Sequence, residues 1–280
     1  MSYKMPLRVA FVVSLLWMGM TALPIKAQPD TTDVLTTHDL MVDRGIALPS
    51  DAWVDTQLTR LEDERHTGEF VRIMNELEAL AEAFPDNGEV LWRLARTRTD
   101  VAERESDEPR REELLRQAVT DAERAVELLP DHSNAHLTKA VAAGRAALVA
   151  GTRERVELSR TVHTYANRAI ELNPENDLAY HVRGRWAYEV AGLGFVSRRV
   201  VRLVYGGLPN ASYADAAADY EQAIALEERV VHRFELARTF IEMNRPDSAR
   251  AQLKRVLDLP IGDVTDPIYK ERAARLLERL

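Results

Sequence analysis

The fold is decided by a phrase that recurs along the chain, Ala169-Ile170-Glu171-Leu172-Asn173-Pro174-Glu175-Asn176. Related phrases lie before and after it, at Ala125-Val126-Glu127-Leu128-Leu129-Pro130-Asp131, Ala223-Ile224-Ala225-Leu226-Glu227-Glu228 and, more faintly, Val256-Leu257-Asp258-Leu259-Pro260. Each is typical of the end of an amphipathic helix, with a proline or a charged pair where the helix must stop. Since repeats bury their apolar faces only against their neighbours, the phrase predicts a stack of helical units.

These phrases divide the chain into five helix pairs and a last helix. The first predicted pair is Asp51 to Glu64 with Glu69 to Phe84, the second is a helix from Leu91 with one from Pro109 to Leu129, and the third is Ser133 to Ala150 with Arg153 to Leu172. In the fourth pair, one helix starts at Asn176 and the other is capped by Ser212 and Asp215. The second helix of the fifth pair starts at Pro246, and a last helix extends from Asp266 to Leu280. The fifth pair best fits the tetratricopeptide consensus. We therefore expect residues 51–280 to be all-α, a tetratricopeptide-like helical-repeat solenoid of antiparallel helix pairs without a sheet.

Charge and cysteine content exclude several classes of protein. Lys and Arg total 37 against 45 Asp and Glu, which gives a net charge of -8. No strongly basic domain or arm is present, so nucleic acid is not an expected partner. The absence of cysteine excludes disulfides, thiolate metal sites and cysteine nucleophiles.

The amino-terminal residues have the layout of a secretory signal peptide. Lys4 and Arg8 precede an apolar run over 9–23, and Ala27 offers a small residue for cleavage. A membrane anchor formed by residues 9–23 is the alternative, although the run is shorter than the about 20 residues of a membrane span. We expect residues 1–27 to be cleaved, 28–50 to be a flexible linker rich in Thr, Asp and Pro, and the protein to be exported to the periplasm or outside the cell.

Signatures of catalysis and of cofactor binding are missing from the sequence. It has no G-x-S-x-G, no H-E-x-x-H and no phosphate-binding Gly-Lys-Ser, and we predict no enzyme and no cofactor. His132 and His136 are four residues apart and could share a metal on a helix, but no further ligand is apparent. We interpret them as two exposed imidazoles at the start of a helix, and predict no metal site.

A column of arginines and aromatic residues on the first helix of each pair is the candidate binding groove. Its members are Trp92, Arg96, Leu137, Arg145, His181, Arg185, Tyr188, Phe234 and Arg238. Leading helices line the concave face of such an array, and Arg forks suit a carboxylate or phosphate. We expect Arg96, Arg185 and Arg238 to act together on the anionic part of a ligand; the alternative is that the arginines pair with acids of the adjacent repeat.

The fourth repeat is lengthened at residues 192–211. Ala223 follows its counterpart Ala169 by 54 positions, against roughly 34 in a plain tetratricopeptide repeat. The added stretch is apolar and basic, and its notable residues are Phe195, Arg198, Arg199, Arg202 and Tyr205. It predicts an extra helix that covers one mouth of the groove or lies on a membrane surface; alternatively, the helix packs on its own solenoid with its arginines in solvent.

Several motifs resemble those of the regulator of microtubule dynamics family. They are Leu91-Trp92-Arg93-Leu94-Ala95-Arg96, Gly184-Arg185-Trp186, Arg198-Arg199 and the lengthened fourth repeat. Arg183 departs from the small or apolar residue expected at its position. The resemblance implies an all-helical interaction domain whose animal members associate with microtubules and organelle membranes. An export signal departs from that setting.

These features favour a non-catalytic scaffold that binds a protein or an extended peptide in the concave groove. One alternative is a carrier of an anionic lipid or amphiphile, suggested by the apolar and basic insertion. Another is a microtubule-associated protein, as the resemblance implies.

Overall fold

The computed structural model describes residues 50–280, with the exception of the side chains of 195 and 196. The predicted signal peptide, 1–27, and the linker, 28–50 apart from Ser50, lie outside these residues. Within the described range the chain forms twelve α-helices and no strand. The prediction of an all-α, tetratricopeptide-like fold is confirmed.

The helices follow one another with short connections. They are α1 (Asp51–Asp63), α2 (Phe70–Ala83), α3 (Gly88–Ala102), α4 (Glu108–Leu128), α5 (Ser133–Val149), α6 (Thr152–Leu172), α7 (Asp177–Gly192), α8 (Phe195–Tyr205), α9 (Tyr213–Leu226), α10 (Val230–Glu242), α11 (Pro246–Asp258) and α12 (Asp266–Leu277). A 3-10 turn, Glu64–Thr67, joins α1 to α2. The turn ends at Gly68, whose φ of 76° is readily adopted only by glycine.

The helix boundaries follow local capping chemistry. Asn87 caps α3 by accepting from the backbone N–H groups of Glu89 and Val90, so α3 starts before the predicted Leu91. Ser212 and Asp215 form the expected capping box at the start of α9. The predicted extra helix in the fourth repeat is present as α8. Capping side chains thus define the first residues of several helices that the sequence predicted.

The described residues form two compact units, 50–142 and 143–280. In the amino-terminal unit, α3 and α4 meet through alanines, because Ala95, Ala118 and Ala122 are fully buried. A second cluster places Leu91 and Trp92 against Ala125 near the end of α4. Small side chains allow two helix backbones to approach closely, which explains the alanine at the start of the repeated phrase.

The carboxy-terminal unit is organised around the contact of α7 with α9. A Cβ on Gly184 would lie 3.1 Å from Asp219 Cβ and 3.3 Å from the backbone oxygen of Ala216. A side chain here would therefore require Asp219 or the backbone of α9 to move by a few tenths of an ångström. The ring of Tyr220 is fully buried beside it, in a cluster that includes Trp186 and Tyr188. A second cluster joins α10, α11 and α12 through Phe234, Leu253 and Ala273.

Arg183 replaces the core residue expected at its position, and an ion pair explains how it is accommodated. Its Nη2 donates to Asp219 Oδ1 at 2.6 Å and its Nε to Asp219 Oδ2 at 2.9 Å. Its Nη1 donates to Asn167 Oδ1 at 3.0 Å. The guanidinium thus satisfies the acid next to Gly184 and links α7 to both α6 and α9.

Candidate binding face

Two leading helices of the carboxy-terminal unit, α7 and α10, are joined by arginines that share one carboxylate. Glu235 on α10 is 2% exposed. Its Oε1 accepts from Arg185 Nη1 at 2.8 Å, and its Oε2 accepts from Arg238 Nη1 at 2.7 Å. Arg185 Nε also donates to Glu189 Oε1 at 3.0 Å. We call His181, Arg185, Tyr188, Glu235 and Arg238 the leading-helix face of this unit.

Burial sets the protonation behaviour of this face. Burial alone would lower the pKa of Arg185, but the charges of Glu235 and Glu189 raise it above the ordinary guanidinium value. Burial raises the pKa of Glu189, against the opposing effect of Arg185. Burial also raises the pKa of Tyr188 to about 12. Both arginines and the phenol therefore keep their protons at neutral pH and act as hydrogen-bond donors.

The two aromatic candidates on these helices are buried. Phe234 packs in the cluster of α10, α11 and α12, with its ring 5.3 Å from that of Tyr269. Tyr188 packs against Tyr213, and its ring lies 4.9 Å from the Arg238 guanidinium carbon. Arg185 and Arg238 keep 20% and 24% of their side-chain surface exposed. Part of each arginine side chain therefore remains accessible at this face, and the Tyr188 ring lies against the guanidinium of Arg238.

A chain of buried polar groups extends from this face to the start of α7. His232 is fully buried, and its Nε2 donates to Asp177 Oδ2 at 2.9 Å. Its Nδ1 lies 3.0 Å from Nδ1 of His181. Burial, followed by the charges of His232 and Arg185, holds the pKa of His181 well below its ordinary value. Burial tends to raise the pKa of Asp177, but hydrogen bonds from His232 and Arg229 lower it.

Sequence reasoning did not single out Glu235, Glu189, His232 or Asp177. One available signal was the spacing of Glu235 and Arg238, since residues three apart lie on one side of a helix. The same holds for Arg185 and Glu189, four residues apart. Such pairs are common on solvated helices, and the sequence does not show which of them lie between two repeats.

In the amino-terminal unit, the candidates Trp92 and Arg96 form part of another ion-pair cluster. Arg96 Nη2 donates to Glu62 on the preceding repeat, and its guanidinium carbon lies 5.0 Å from the centre of the Trp92 ring. Trp92 Nε1 donates to Glu89 Oε2 at 2.8 Å. Burial and the nearby Arg65 lower the pKa of Arg96. In the structure, Arg96 and Arg185 therefore pair with acids of an adjacent repeat, which is the alternative to a ligand-binding role that the sequence left open.

The remaining candidates of the column lie on α5. Leu137 is buried, and Arg145 is near enough to His181 for its charge to lower the pKa of that histidine. Joint action of Arg96, Arg185 and Arg238 on one ligand stays a prediction. Within the carboxy-terminal unit, the structure brings Arg185 and Arg238 together.

The helix of the insertion, α8, is attached at both ends through arginines. Arg198 donates to carbonyl oxygens at the end of α7 and just after it, including Leu193 O at 2.9 Å. Arg160 of α6 donates from Nε to Gly207 O at 3.0 Å, just after α8. Arg198, Arg199 and Arg202 are exposed and Tyr205 is half-buried. The side chain of the candidate Phe195 lies outside the described atoms.

The histidine pair at the start of α5 differs from the predicted pair of exposed imidazoles. His136 is buried, and its Nε2 donates to Pro130 O at 2.8 Å. His132 is half-buried, with its Nε2 3.5 Å from Glu89 Oε1. The first turn of α5 packs against the end of α4 through Ala135, and this contact covers His136. No group of three metal-binding side chains occurs among residues 50–280.

None of the helices described between residues 50 and 280 combines the length and the apolar character that a membrane crossing requires. This finding does not extend to the apolar run at 9–23.

Paired helices joined by a repeated Ala-to-Pro phrase define a tetratricopeptide-like repeat protein, and solved structures agree. A thermophilic TPR protein from Thermus thermophilus is similar with a TM-score of 0.58 and 20% identity, over 79% of this chain and 98% of that one. The model of the family described as Regulator of microtubule dynamics protein 1-3 matches residues 54–280. The chain belongs to this family.

Individual relatives agree with that assignment. Regulator of microtubule dynamics protein 3 of Xenopus laevis is 26% identical over 239 residues, covering 82% of this chain and 51% of that protein. Regulator of microtubule dynamics protein 1 of Mus musculus is 24% identical over 198 residues, covering 70% of this chain and 65% of that protein. The chain thus spans between half and about two thirds of the length of these relatives.

Proposed function

We propose that this chain is a non-catalytic scaffold that binds an extended segment of a partner protein on the leading-helix face of its carboxy-terminal unit. The fold and family are those of helical repeat scaffolds. Stacked repeats present extended surfaces that suit extended ligands.

The observation that carries this proposal is the fixed orientation of Arg185 and Arg238 on Glu235. Each guanidinium has five N–H donors in a rigid fork, and Glu235 uses one fork position of each. Because the orientation is set before binding, a ligand does not bear the entropy cost of ordering these side chains. Arg238 keeps part of its side chain accessible, and a guanidinium suits a carboxylate or a backbone carbonyl of a bound segment.

Binding to a peptide array, followed by affinity measurement on the hits, tests this proposal with the full chain and two variants. Arg238→Ala removes a guanidinium group from the leading-helix face, while Arg250→Ala removes a partly exposed arginine from the trailing helix α11. We expect Arg238→Ala to weaken binding by about 1.5–3 kcal/mol, as for a charge-assisted hydrogen bond. Arg250→Ala should bind as the parent does. Equal binding by all three proteins would remove the leading-helix face as the site.

The carrier alternative is separated from the scaffold by native mass spectrometry of the purified chain. A co-purifying phospholipid would favour a carrier of an anionic amphiphile. Protein free of lipid, together with peptide binding that depends on Arg238, favours the scaffold.

A second candidate function is suggested by family membership, since the matched relatives are named regulators of microtubule dynamics. Co-sedimentation of the purified chain with microtubules tests whether it shares that partner. Export, which we also propose from residues 1–27, would separate the protein from tubulin. The microtubule-associated function would therefore be supported if the chain both binds microtubules and is retained in the cytosol.

A further inference from the structure

The helix α8 leaves most of its surface uncovered. Of its nine side chains that the structure describes, none is buried. Leu203 is 76% exposed and Val204 is 64% exposed. Arg199, Arg202 and Leu203 lie at i, i+3 and i+4, so they share one side of the helix. This side combines two arginines with a large apolar residue in solvent.

The helix α8 is attached through hydrogen bonds from arginines to backbone carbonyl oxygens. Arg198 donates to the carbonyl oxygens of Val190, Ala191 and Leu193 and not to a carboxylate. Arg202 is exposed to solvent. At the other end, Arg160 holds the carbonyl oxygens of Tyr205 and Gly207. The helix is therefore held by its ends, while the side chains of Arg202, Leu203 and Val204 stay exposed.

The surrounding sequence adds to this local charge. Residues 190–214 contain three arginines and no aspartate or glutamate, although the whole chain has a net charge of -8. Acids elsewhere in the carboxy-terminal unit are close partners of other arginines, as Glu235 is of Arg185. The stretch is therefore a positive patch on an acidic protein, complementary to a surface of negative charge.

The shape of the patch decides between two kinds of anionic partner. A peptide gains affinity where a groove encloses its side chains, whereas the exposed side of a single helix encloses nothing. A bilayer surface needs no groove, because it receives apolar side chains between its headgroups and attracts basic ones electrostatically. We propose that α8 is a docking surface for an anionic phospholipid bilayer, with Leu203 inserted at the headgroup level and Arg202 beside the lipid phosphates.

Vesicle co-sedimentation tests the proposal with the full chain. Residues 9–23 are apolar enough to contact any bilayer, so the measured quantity is the ratio of binding to two kinds of vesicle. One is phosphatidylcholine alone and the other is phosphatidylcholine mixed with phosphatidylglycerol. We expect stronger binding to the anionic vesicles, and this preference should decrease as salt is added. A basic side chain at an anionic surface contributes about 1 kcal/mol, so Arg202→Glu should weaken anionic binding at least about fivefold.

The control variant is Arg153→Glu, which changes the net charge equally at a side chain that is 83% exposed on α6. It should bind the anionic vesicles as the parent does, and Leu203→Ser should weaken binding without changing the charge. If Arg153→Glu weakens binding to the anionic vesicles as much as Arg202→Glu does, the effect comes from net charge alone and the proposal is overturned. Equal binding of the parent to both vesicle types would also overturn it. So would Arg202-dependent binding to polyglutamate without a preference for anionic vesicles, which would indicate an acidic protein segment instead.

Discussion

Glu235 shows at the scale of one residue how the carboxy-terminal unit combines stability with a polar surface. It accepts hydrogen bonds from Arg185 and Arg238 while remaining almost inaccessible to solvent. Each arginine comes from a different helix, α7 or α10. Loss of the carboxylate would leave two largely covered guanidinium groups without the acid that lies between them.

We expect Glu235→Gln to lower the free energy of unfolding by about 3 kcal/mol, because removing one partner of a buried ion pair leaves uncompensated charge. Urea denaturation measures the change. Glu171→Gln is the control, since this acid pairs with Arg168 on the exposed side of α6. That control should lose less than about 1 kcal/mol. Similar losses for the two variants would show that Glu235 does not hold α7 to α10.

The pKa of His181 gives the protein a pH-dependent stability. Because its pKa in the folded chain lies well below the ordinary value of 6.5, the unfolded chain binds more protons between those two values. The contribution of His181 is therefore complete above pH 6.5 and is lost as the pH falls below that value.

Unfolding free energies measured across this range should decrease less steeply for His181→Gln than for the parent. His163, whose pKa is lowered by burial and by Arg183, contributes in the same direction and is present in both proteins. His66→Gln, at an exposed turn, should follow the parent curve. Parallel curves for the parent and His181→Gln would contradict the assignment.

The sequence predicted the arginines of this face but not their partners. Arg185 and Arg238 were found because one arginine recurs on each leading helix. Glu235 lies 50 positions after Arg185, and a contact over that distance depends on how repeats stack, which periodicity does not define. The same reason concealed Glu62 as the partner of Arg96, 34 positions away.

At the scale of helices, two glycines on leading helices have opposite consequences for packing. Gly184 in α7 has backbone and side-chain atoms of α9 within 3.1–3.3 Å of the point that a Cβ would occupy. For Gly144 in α5, the corresponding point lies 3.5 Å from Val162 Cγ2, which is ordinary contact. A Cβ at position 184 would therefore be crowded by α9, whereas a Cβ at position 144 would make an ordinary contact.

We expect Gly144→Ala to raise the free energy of unfolding by up to about 1 kcal/mol, since alanine is the better helix former. Gly184→Ala should lower it by about 1–3 kcal/mol, because Arg183 holds Asp219 in place and α9 cannot move away. Thermal unfolding followed by circular dichroism compares the two. A gain of stability by Gly184→Ala would show that α7 and α9 can separate at low cost.

Helix positions were predictable to a greater extent than helix packing. Pro246, Ser212 and the repeated phrase mark ends through local chemistry, and the observed bounds lie within a few residues of the predicted ones. In α8 the arginines and the valines lie on different sides of the helix, but this pattern does not show which neighbouring element the helix contacts. Its existence was therefore predicted, while its attachment through Arg160 and Arg198 was not.

At the scale of the whole molecule, export is the prediction with the largest consequence for function. Fusion of residues 1–30 to a reporter enzyme should carry the reporter across the membrane, since a basic start, an apolar run and Ala27 have the layout of a cleavable leader. Replacing Leu15 and Leu16 with Arg in the same fusion should abolish transport, as charges interrupt the apolar run. Retention of the unaltered fusion in the cytosol would instead make tubulin accessible to this family member.

The helix α12 has one side that packs on the apolar cluster of α10 and α11 and another that carries charge. It covers the apolar cluster of Phe234, Leu253 and Val256, and its Lys270 donates to Leu257 O at 2.9 Å at the end of α11. The opposite side of α12 has the exposed ion pair of Glu271 and Arg275. A molecule that approaches this side of α12 would therefore meet charge and not an apolar stacking surface, which disfavours end-to-end association through this helix.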